Sequence, residues 1–126
     1  MSAVTFFTYP SCTSCRKTKK WLSSHSVDVQ ERHLFRETPT KQELLKLLSM
    51  SSEGLDELLA TRSSTFKSLN MDVDDMPLSA VIDLIIQEPK LLRRPILTDG
   101  ETIVVGYNLE KLRSLTKKKQ VMKYTG

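Results

Sequence analysis

The sequence predicts a single α/β domain over residues 1–126, built in the order β-α-β, a helical insertion and β-β-α. The chain opens on a β-branched and aromatic segment, its middle has leucines at helical spacing, and two short apolar runs near the end flank Asp99-Gly100. A hydrophobic content of 39% over 126 residues is enough for one buried core. We find no internal repeat and no linker long enough to separate a second domain.

The first βαβ unit follows from residue types and breakers. Residues 4–9 (VTFFTY) are typical of a strand, which Pro10 and Ser11 end. A helix is predicted over 12–24, with Thr18, Trp21 and Leu22 on its inner stripe. A second strand over 27–32 then runs parallel to the first through a right-handed crossover.

The helical insertion covers about residues 40–90. Thr40 and Glu43 form a capping box before one helix, and Pro77 opens an amphipathic helix. The inward positions of that second helix are predicted at Leu78, Val81, Ile82 and Ile85.

After the insertion, residues 96–98 and 102–105 predict a hairpin, and Asn108 is a good N-cap for a last helix. The whole order is that of the thioredoxin fold, in which a reactive cysteine stands where the first strand meets the first helix.

Charge is unevenly distributed along the chain. Residues 111–126 carry six basic side chains and no acidic one, whereas the remainder has 13 basic and 15 acidic residues. This indicates a near-neutral body with a basic C-terminal tail at about 116–126, rather than a globally basic nucleic-acid binder. No apolar run approaches the length of a membrane span and no signal peptide is evident, so we expect a cytoplasmic protein without membrane contact.

Cys12 and Cys15 are the only cysteines, and they form a CxxC at the predicted start of the first helix. Residues three apart share a helix face, so the two thiols can be bridged. The helix N-terminus and the adjacent Arg16 favour a thiolate at Cys12. Inert buried thiols and half a zinc site are the alternatives. Because His25 and His33 do not fit a zinc-ligand spacing, we predict a redox pair with no metal and no other cofactor.

Several segments together resemble the Spx/MgsR family of redox-sensing transcriptional regulators, bacterial relatives of arsenate reductase (ArsC). The family's segments are matched by YPSCTSCRK at 9–17, ATRS at 60–63, LLRRPI at 91–96 and VGYN at 105–108. Two further segments, RHLFRETPT at 32–40 and PKLL at 89–92, are closer to its MgsR members. The similarity covers about residues 5–119 and implies a thioredoxin-like fold of the ArsC/Spx type.

The resemblance implies a regulator and not an enzyme. Such proteins bind the C-terminal domain of the RNA polymerase α subunit (αCTD), and a disulfide, here Cys12–Cys15, reports oxidative stress. Promoter DNA is contacted only together with polymerase, and the ClpXP protease degrades family members. We expect a monomer.

The resemblance also assigns residues outside the CxxC. Gly54 matches a glycine of the polymerase contact, for which a plain turn glycine is the alternative. Arg94, next to Pro95, matches an arginine that supports the oxidised form, and a proline at this place is commonly cis. The alternative for Arg94 is an arginine that caps a helix end or pairs with a surface acid. Arg62 matches an arginine of the reductase site, and its alternative is a solvated charge at a helix end.

Two enzyme classes remain as alternatives. An arsenate reductase needs several arginines to hold its oxyanion, and the related reductase has one after the final hairpin, where this chain has Gly106-Tyr107-Asn108. A thioredoxin-like oxidoreductase has Gly-Pro between its cysteines, where this chain has Thr13-Ser14. Lys117, Lys118 and Lys119 are either a solvated tail or an electrostatic contact to promoter DNA.

Overall fold

The chain divides into two compact units. The computed structural model describes residues 4–61, 63–69 and 73–115. The first unit contains the chain up to Arg32 and from Arg94 onward, and the second spans His33–Arg93. The predicted helical insertion at about 40–90 falls inside the second unit. The organisation of 1–126 as a single domain stays a prediction.

Four strands of the described residues form one sheet with the order β2-β1-β3-β4. The strands are β1 (Val4–Thr8), β2 (Val29–His33), β3 (Ile96–Thr98) and β4 (Ile103–Val105). Strands β1 and β3 are antiparallel with Phe7 opposite Ile96, and β3 and β4 form the predicted hairpin. Strand β2 begins two residues later than predicted, and strand β4 begins one residue later. Their existence and order along the chain are as predicted.

The first unit has its own apolar core between strands and two helices, α1 (Thr13–Ser24) and a C-terminal helical segment, 109–115. The core cluster consists of Val4, Phe6, Leu22, Leu97, Val104, Leu112 and Leu115. Asn108 caps the second of these helices as predicted, because its Oδ1 accepts the Lys111 N–H at 3.1 Å. Thr18 is fully buried, as its place on the inner stripe of α1 predicts.

Trp21 is less buried than the sequence suggests. It is half-buried, packs against the edge of the core cluster and stacks on His25 with 4.0 Å between ring centroids. Each residue of an α-helix is rotated by about 100° from the one before it. Because Leu22 is directed into the core, Trp21 is directed toward the edge of the surface that α1 buries. Trp21 therefore lies at the edge of the core cluster rather than inside it.

The second unit is helical. Its helices are α2 (Lys41–Met50), α3 (Leu55–Leu58), α4 (Ser64–Leu69) and α5 (Leu78–Gln87), with short 3-10 segments at Val73–Asp75 and Pro89–Leu91. The predicted capping box of α2 is confirmed, because Thr40 Oγ1 accepts the Glu43 N–H at 3.1 Å and Glu43 Oε1 accepts the Thr40 N–H at 2.9 Å. Within the described residues, no helix is long and apolar enough to cross a membrane.

The inner face of α5 is confirmed at Val81, Ile82 and Ile85, which are each 1% exposed. Leu78, predicted on the same face, is 44% exposed, so that prediction is wrong. Leu78 is the first residue of α5, and periodicity alone does not show where along a helix the covering elements stop.

Candidate functional site

Cys12 caps the N-terminus of α1 with its own sulfur. The residue is extended, with φ −90° and ψ 121°, and its N–H donates to the Tyr9 carbonyl at 3.1 Å. The Cys15 N–H in turn donates to Cys12 Sγ at 3.3 Å. A sulfur in this position faces the partial positive charge and the unpaired N–H groups of the helix end. Cys12 is half-buried, so reagents in solvent can reach it.

Cys15 lies in a very different environment, although it is one helical turn away. It is 1% exposed, and its thiol has hydrogen bonds with the side chains of Cys12 and Thr8 and with the Tyr9 backbone. Burial, followed by the bond with Cys12, raises the pKa of Cys15 from 9.0 to about 11, against the opposing effect of Thr8 and Tyr9. Both cysteines are free thiols in this structure. The pair thus consists of an accessible, helix-capping sulfur and a buried thiol that keeps its proton at neutral pH.

A small cavity borders the buried thiol. Its volume is about 230 Å³, and its lining includes the end of β1, Cys15, Arg16 and the ion pair of Lys19 with Glu31. The Lys19 Nζ and Glu31 Oε1 atoms are 3.2 Å apart at the surface. Arg16, predicted as a support of the redox site, is exposed and contributes to this lining. Its placement gives the site a positive rim.

The Arg94-Pro95 peptide bond is cis, the isomer that is common at this place in thioredoxin-like folds. Because Phe7 pairs with Ile96, continuing the antiparallel register places Pro95 opposite Thr8 and Arg94 opposite Tyr9. Arg94 and Pro95 therefore lie at the same end of the sheet as the CxxC. Pro95 is buried, and Arg94 is half-buried.

The segment after β4 returns to this end of the sheet as well. The Gly106 N–H donates to the Pro95 carbonyl at 2.8 Å, and Lys17 Nζ lies 6.0 Å from the centroid of the Tyr107 ring. Tyr107 stands where the reductase of the resemblance has an arginine, and its ring cannot offer a bidentate donor pair to an oxyanion. At the position of Tyr107, the described part of the site therefore offers no guanidinium to an oxyanion.

Gly54 lies in the second unit, in the loop between α2 and α3. Its φ of +65° is a conformation that side-chain-bearing residues rarely adopt, and a Cβ built there would meet nothing within 4 Å. The backbone conformation, and not close packing, is what requires glycine. We call residues 52–54 the Gly54 loop, and Ser52 and Glu53 in it are exposed.

Glu57 holds the Gly54 loop in place, and its role was not predicted from the sequence. Its Oε2 accepts the N–H groups of Ser52 at 2.9 Å and Glu53 at 3.3 Å, together with the Ser52 hydroxyl at 3.3 Å. A signal was present, because a glutamate three residues after a helix-start residue is the second half of a capping box. Without a Ser or Thr at position 54, the pattern is incomplete.

Two of the predicted sites lie outside the described residues. These are Arg62 and the basic tail with Lys117, Lys118 and Lys119. Within the part of the chain that is described, no group of three or more His, Cys, Asp or Glu side chains could hold a metal ion.

The fold and the cysteine pair together define a thioredoxin-like dithiol protein. A helix-capping Cys12 and a buried Cys15 follow β1, and a cis-proline lies across the sheet from them. Residues 7–115 match the ArsC family, and the chain belongs to that family. A solved structure of a putative ArsC family related protein from Bacteroides fragilis has a TM-score of 0.81 and 26% identity, covering 90% of this chain and 97% of that one. An arsenate reductase from Vibrio cholerae shares the fold, with a TM-score of 0.76 and 21% identity over 88% of this chain and 95% of its own.

Two curated relatives have much higher sequence similarity. The chain is 58% identical over 118 residues to the regulatory protein MgsR of Bacillus subtilis, covering 94% of each chain. It is 45% identical over 116 residues to the global transcriptional regulator Spx of Staphylococcus aureus, covering 92% of this chain and 88% of that protein. The resemblance found in the sequence motifs is thereby confirmed.

Proposed function

We propose that this chain is a redox-sensing transcriptional regulator that binds the αCTD of RNA polymerase. In this proposal a Cys12–Cys15 disulfide is the active form, and stress-response genes are the output. The observation that carries it is the asymmetric pair of a helix-capping Cys12 and a buried Cys15 in a chain 58% identical to a regulatory protein. The polymerase contact itself comes from the family resemblance.

The proposed switch uses the different environments of the two sulfurs. A peroxide-class oxidant is attacked by the Cys12 thiolate, which takes one oxygen to become a sulfenic acid while hydroxide leaves. The Cys15 thiol then attacks the Cys12 sulfur, the S–S bond forms, and the sulfenic oxygen leaves as water with the Cys15 proton. The Cys15 N–H already donates to Cys12 Sγ at 3.3 Å, so the two residues are in contact before this second step. Arg94 and Arg62 are proposed to support the oxidised site.

The remaining parts of the proposal concern partners. Gly54 is proposed to lie in the polymerase contact, where a glycine lets a partner approach closely. The basic tail is proposed to contact promoter DNA only when polymerase holds the protein there. We place the protein in the cytoplasm as a monomer, with ClpXP controlling its lifetime.

Binding of the reduced and oxidised protein to the isolated αCTD tests the proposal directly. We expect the complex to form, and transcription from stress promoters to rise with the oxidised protein. The Cys12→Ala, Cys15→Ala double variant is the matched control, since it cannot form the bridge. A double variant that activates its genes under oxidant like the parent would contradict the switch.

An arsenate reductase is the second candidate, because the solved arsenate reductase from Vibrio cholerae shares the fold. Tyr107 in the place of an oxyanion-binding arginine argues against it. Arsenate turnover with glutathione or thioredoxin as reductant, measured on the same preparation, separates the two functions. Turnover above that of the double variant would favour the enzyme.

A further inference from the structure

We propose that Glu57 is a positioning residue for the partner contact: its buried carboxylate holds the Gly54 loop in the conformation that docks on the αCTD. This inference rests on the proposed function, and it adds a residue to which the family resemblance assigns no role.

The first observation is that one carboxylate oxygen holds most of the loop. Glu57 is 9% exposed, and its Oε2 accepts from two successive backbone N–H groups, Ser52 and Glu53, and from the Ser52 hydroxyl. The Glu57 N–H also donates to the Gly54 carbonyl at 3.1 Å. Both the backbone N–H and the side chain of Glu57 therefore form hydrogen bonds with the Gly54 loop. Hydrogen bonds to a charged acceptor are the stronger kind, so these contacts restrict the loop more than neutral ones would.

The second observation is that Glu57 is itself firmly anchored. The residues after it, Leu58 and Leu59, are buried, and Leu59 forms a β-bridge with Leu92. The Arg93 N–H donates to the Leu58 carbonyl at 2.8 Å, and Arg93 Nε donates to the Leu59 carbonyl at 3.0 Å. The carboxylate thus projects from a fixed turn toward a loop whose residues Ser52 and Glu53 are exposed.

The third observation concerns what the loop presents. Gly54 has a positive φ, and a Cβ built at this position would meet no neighbour within 4 Å. A partner can approach such a backbone only if the loop is held in shape. If the loop is released, the binding-competent fraction falls, and the apparent affinity falls by the same factor.

The test is the affinity of the whole 126-residue chain for the isolated αCTD, measured in the oxidation state that binds. We compare Glu57→Ala, which removes the acceptor, with Glu57→Gln, which keeps a neutral one. The matched control is Glu43→Ala, since Glu43 also accepts a backbone N–H in a helical first turn but caps the far end of α2. Amide hydrogen exchange at Ser52 and Glu53 and thermal unfolding are measured on each variant.

We expect Glu57→Ala to bind about tenfold or more weakly, the order of a lost charged hydrogen bond. Its Ser52 and Glu53 amides should exchange faster, Glu57→Gln should recover part of the affinity, and Glu43→Ala should lose stability without losing affinity. If Glu57→Ala does not fold, Glu57→Asp, whose carboxylate is one methylene shorter, takes its place.

Two results overturn the positioning role alone: wild-type affinity in Glu57→Ala, or an equal loss in Glu43→Ala. No binding by the wild-type protein overturns the proposed function as well.

Discussion

Cys12 and Cys15 are three residues apart and chemically identical, yet the fold places them in different environments. Cys12 stands outside the first turn of α1, half-buried, with an N–H directed at its sulfur. Cys15 stands inside that turn, buried against the end of β1. In the proposed switch, an oxidant reacts with the first sulfur, and the second keeps its proton until a sulfenic acid forms beside it. Position relative to the helix end, rather than the CxxC spacing alone, separates the roles.

The raised pKa of Cys15 predicts a distinct pH dependence of alkylation. In the folded Cys12→Ser variant, the iodoacetamide reaction of Cys15 should be slow at neutral pH and rise about tenfold per pH unit. The rise should continue above pH 9, because burial, the largest cause of the raised pKa of Cys15, remains in this variant. The same variant in denaturant, and the Cys15→Ser variant with its accessible Cys12, serve as controls. A plateau near pH 9 in the folded protein would contradict the burial effect.

The same pKa has a consequence for stability. The thiol loses its proton more easily in the unfolded chain, with a pKa of 9.0, than in the folded one, with a pKa of about 11. The contribution of Cys15 to the free energy of unfolding is therefore complete below pH 9 and is lost as the pH rises through that interval. Urea unfolding of the wild-type protein and of Cys15→Ala across this range should show the difference between them shrinking with pH.

At Gly54, backbone strain and the partner contact can be separated by two substitutions. Gly54→Ala and Gly54→Arg should each lower the free energy of unfolding by about 1–2 kcal/mol, because both place a Cβ at a positive φ. The added Cβ should not clash within the chain in either variant, since nothing lies within 4 Å of its position. Only Gly54→Arg should abolish binding to the αCTD. If both variants bind alike, Gly54 is a turn residue without a partner role.

At the scale of elements, local signals were sufficient where the residues that make a structure are close in sequence. The capping box of Thr40 and Glu43, the N-cap at Asn108 and the turn of the hairpin were all predicted correctly. Leu78 was misjudged because burial depends on what covers a helix, which periodicity does not report. The carboxylate of Glu57 was overlooked because its partners are loop N–H groups that any sequence would supply.

Helix α1 begins on a sulfur, and this predicts a difference between two substitutions that both remove the thiol. Serine has an oxygen that can accept the Cys15 N–H, whereas alanine has no acceptor. Reduced Cys12→Ala should therefore be about 1 kcal/mol less stable than Cys12→Ser, the usual effect of a lost N-cap. Chemical denaturation under reducing conditions measures this. Equal stability of the two variants would mean that the sulfur does not cap the helix.

At the scale of the whole molecule, the candidate site combines residues that sequence spacing could not bring together. The CxxC was evident from the sequence, but the placement of Arg94 and Pro95 at the same end of the sheet depends on the register of β1 with β3. The family resemblance predicted that arrangement because relatives share the fold, and the spacing of these residues carries no such information. The buried environment of Cys15 has no local signal, since it arises from the end of a different element.

In the proposed function, thermodynamic linkage connects the Cys12–Cys15 pair and the αCTD contact, whatever path couples them. If the oxidised protein binds the αCTD more tightly, then the bound domain must stabilise the disulfide by the same free energy. Each tenfold difference in affinity should lower the midpoint potential of the Cys12–Cys15 pair by about 30 mV. Redox titrations in thiol–disulfide buffers, with and without saturating αCTD, measure the shift, and Gly54→Arg is the control that should abolish it. An unchanged potential would show that oxidation activates the protein at a step other than its binding to the αCTD.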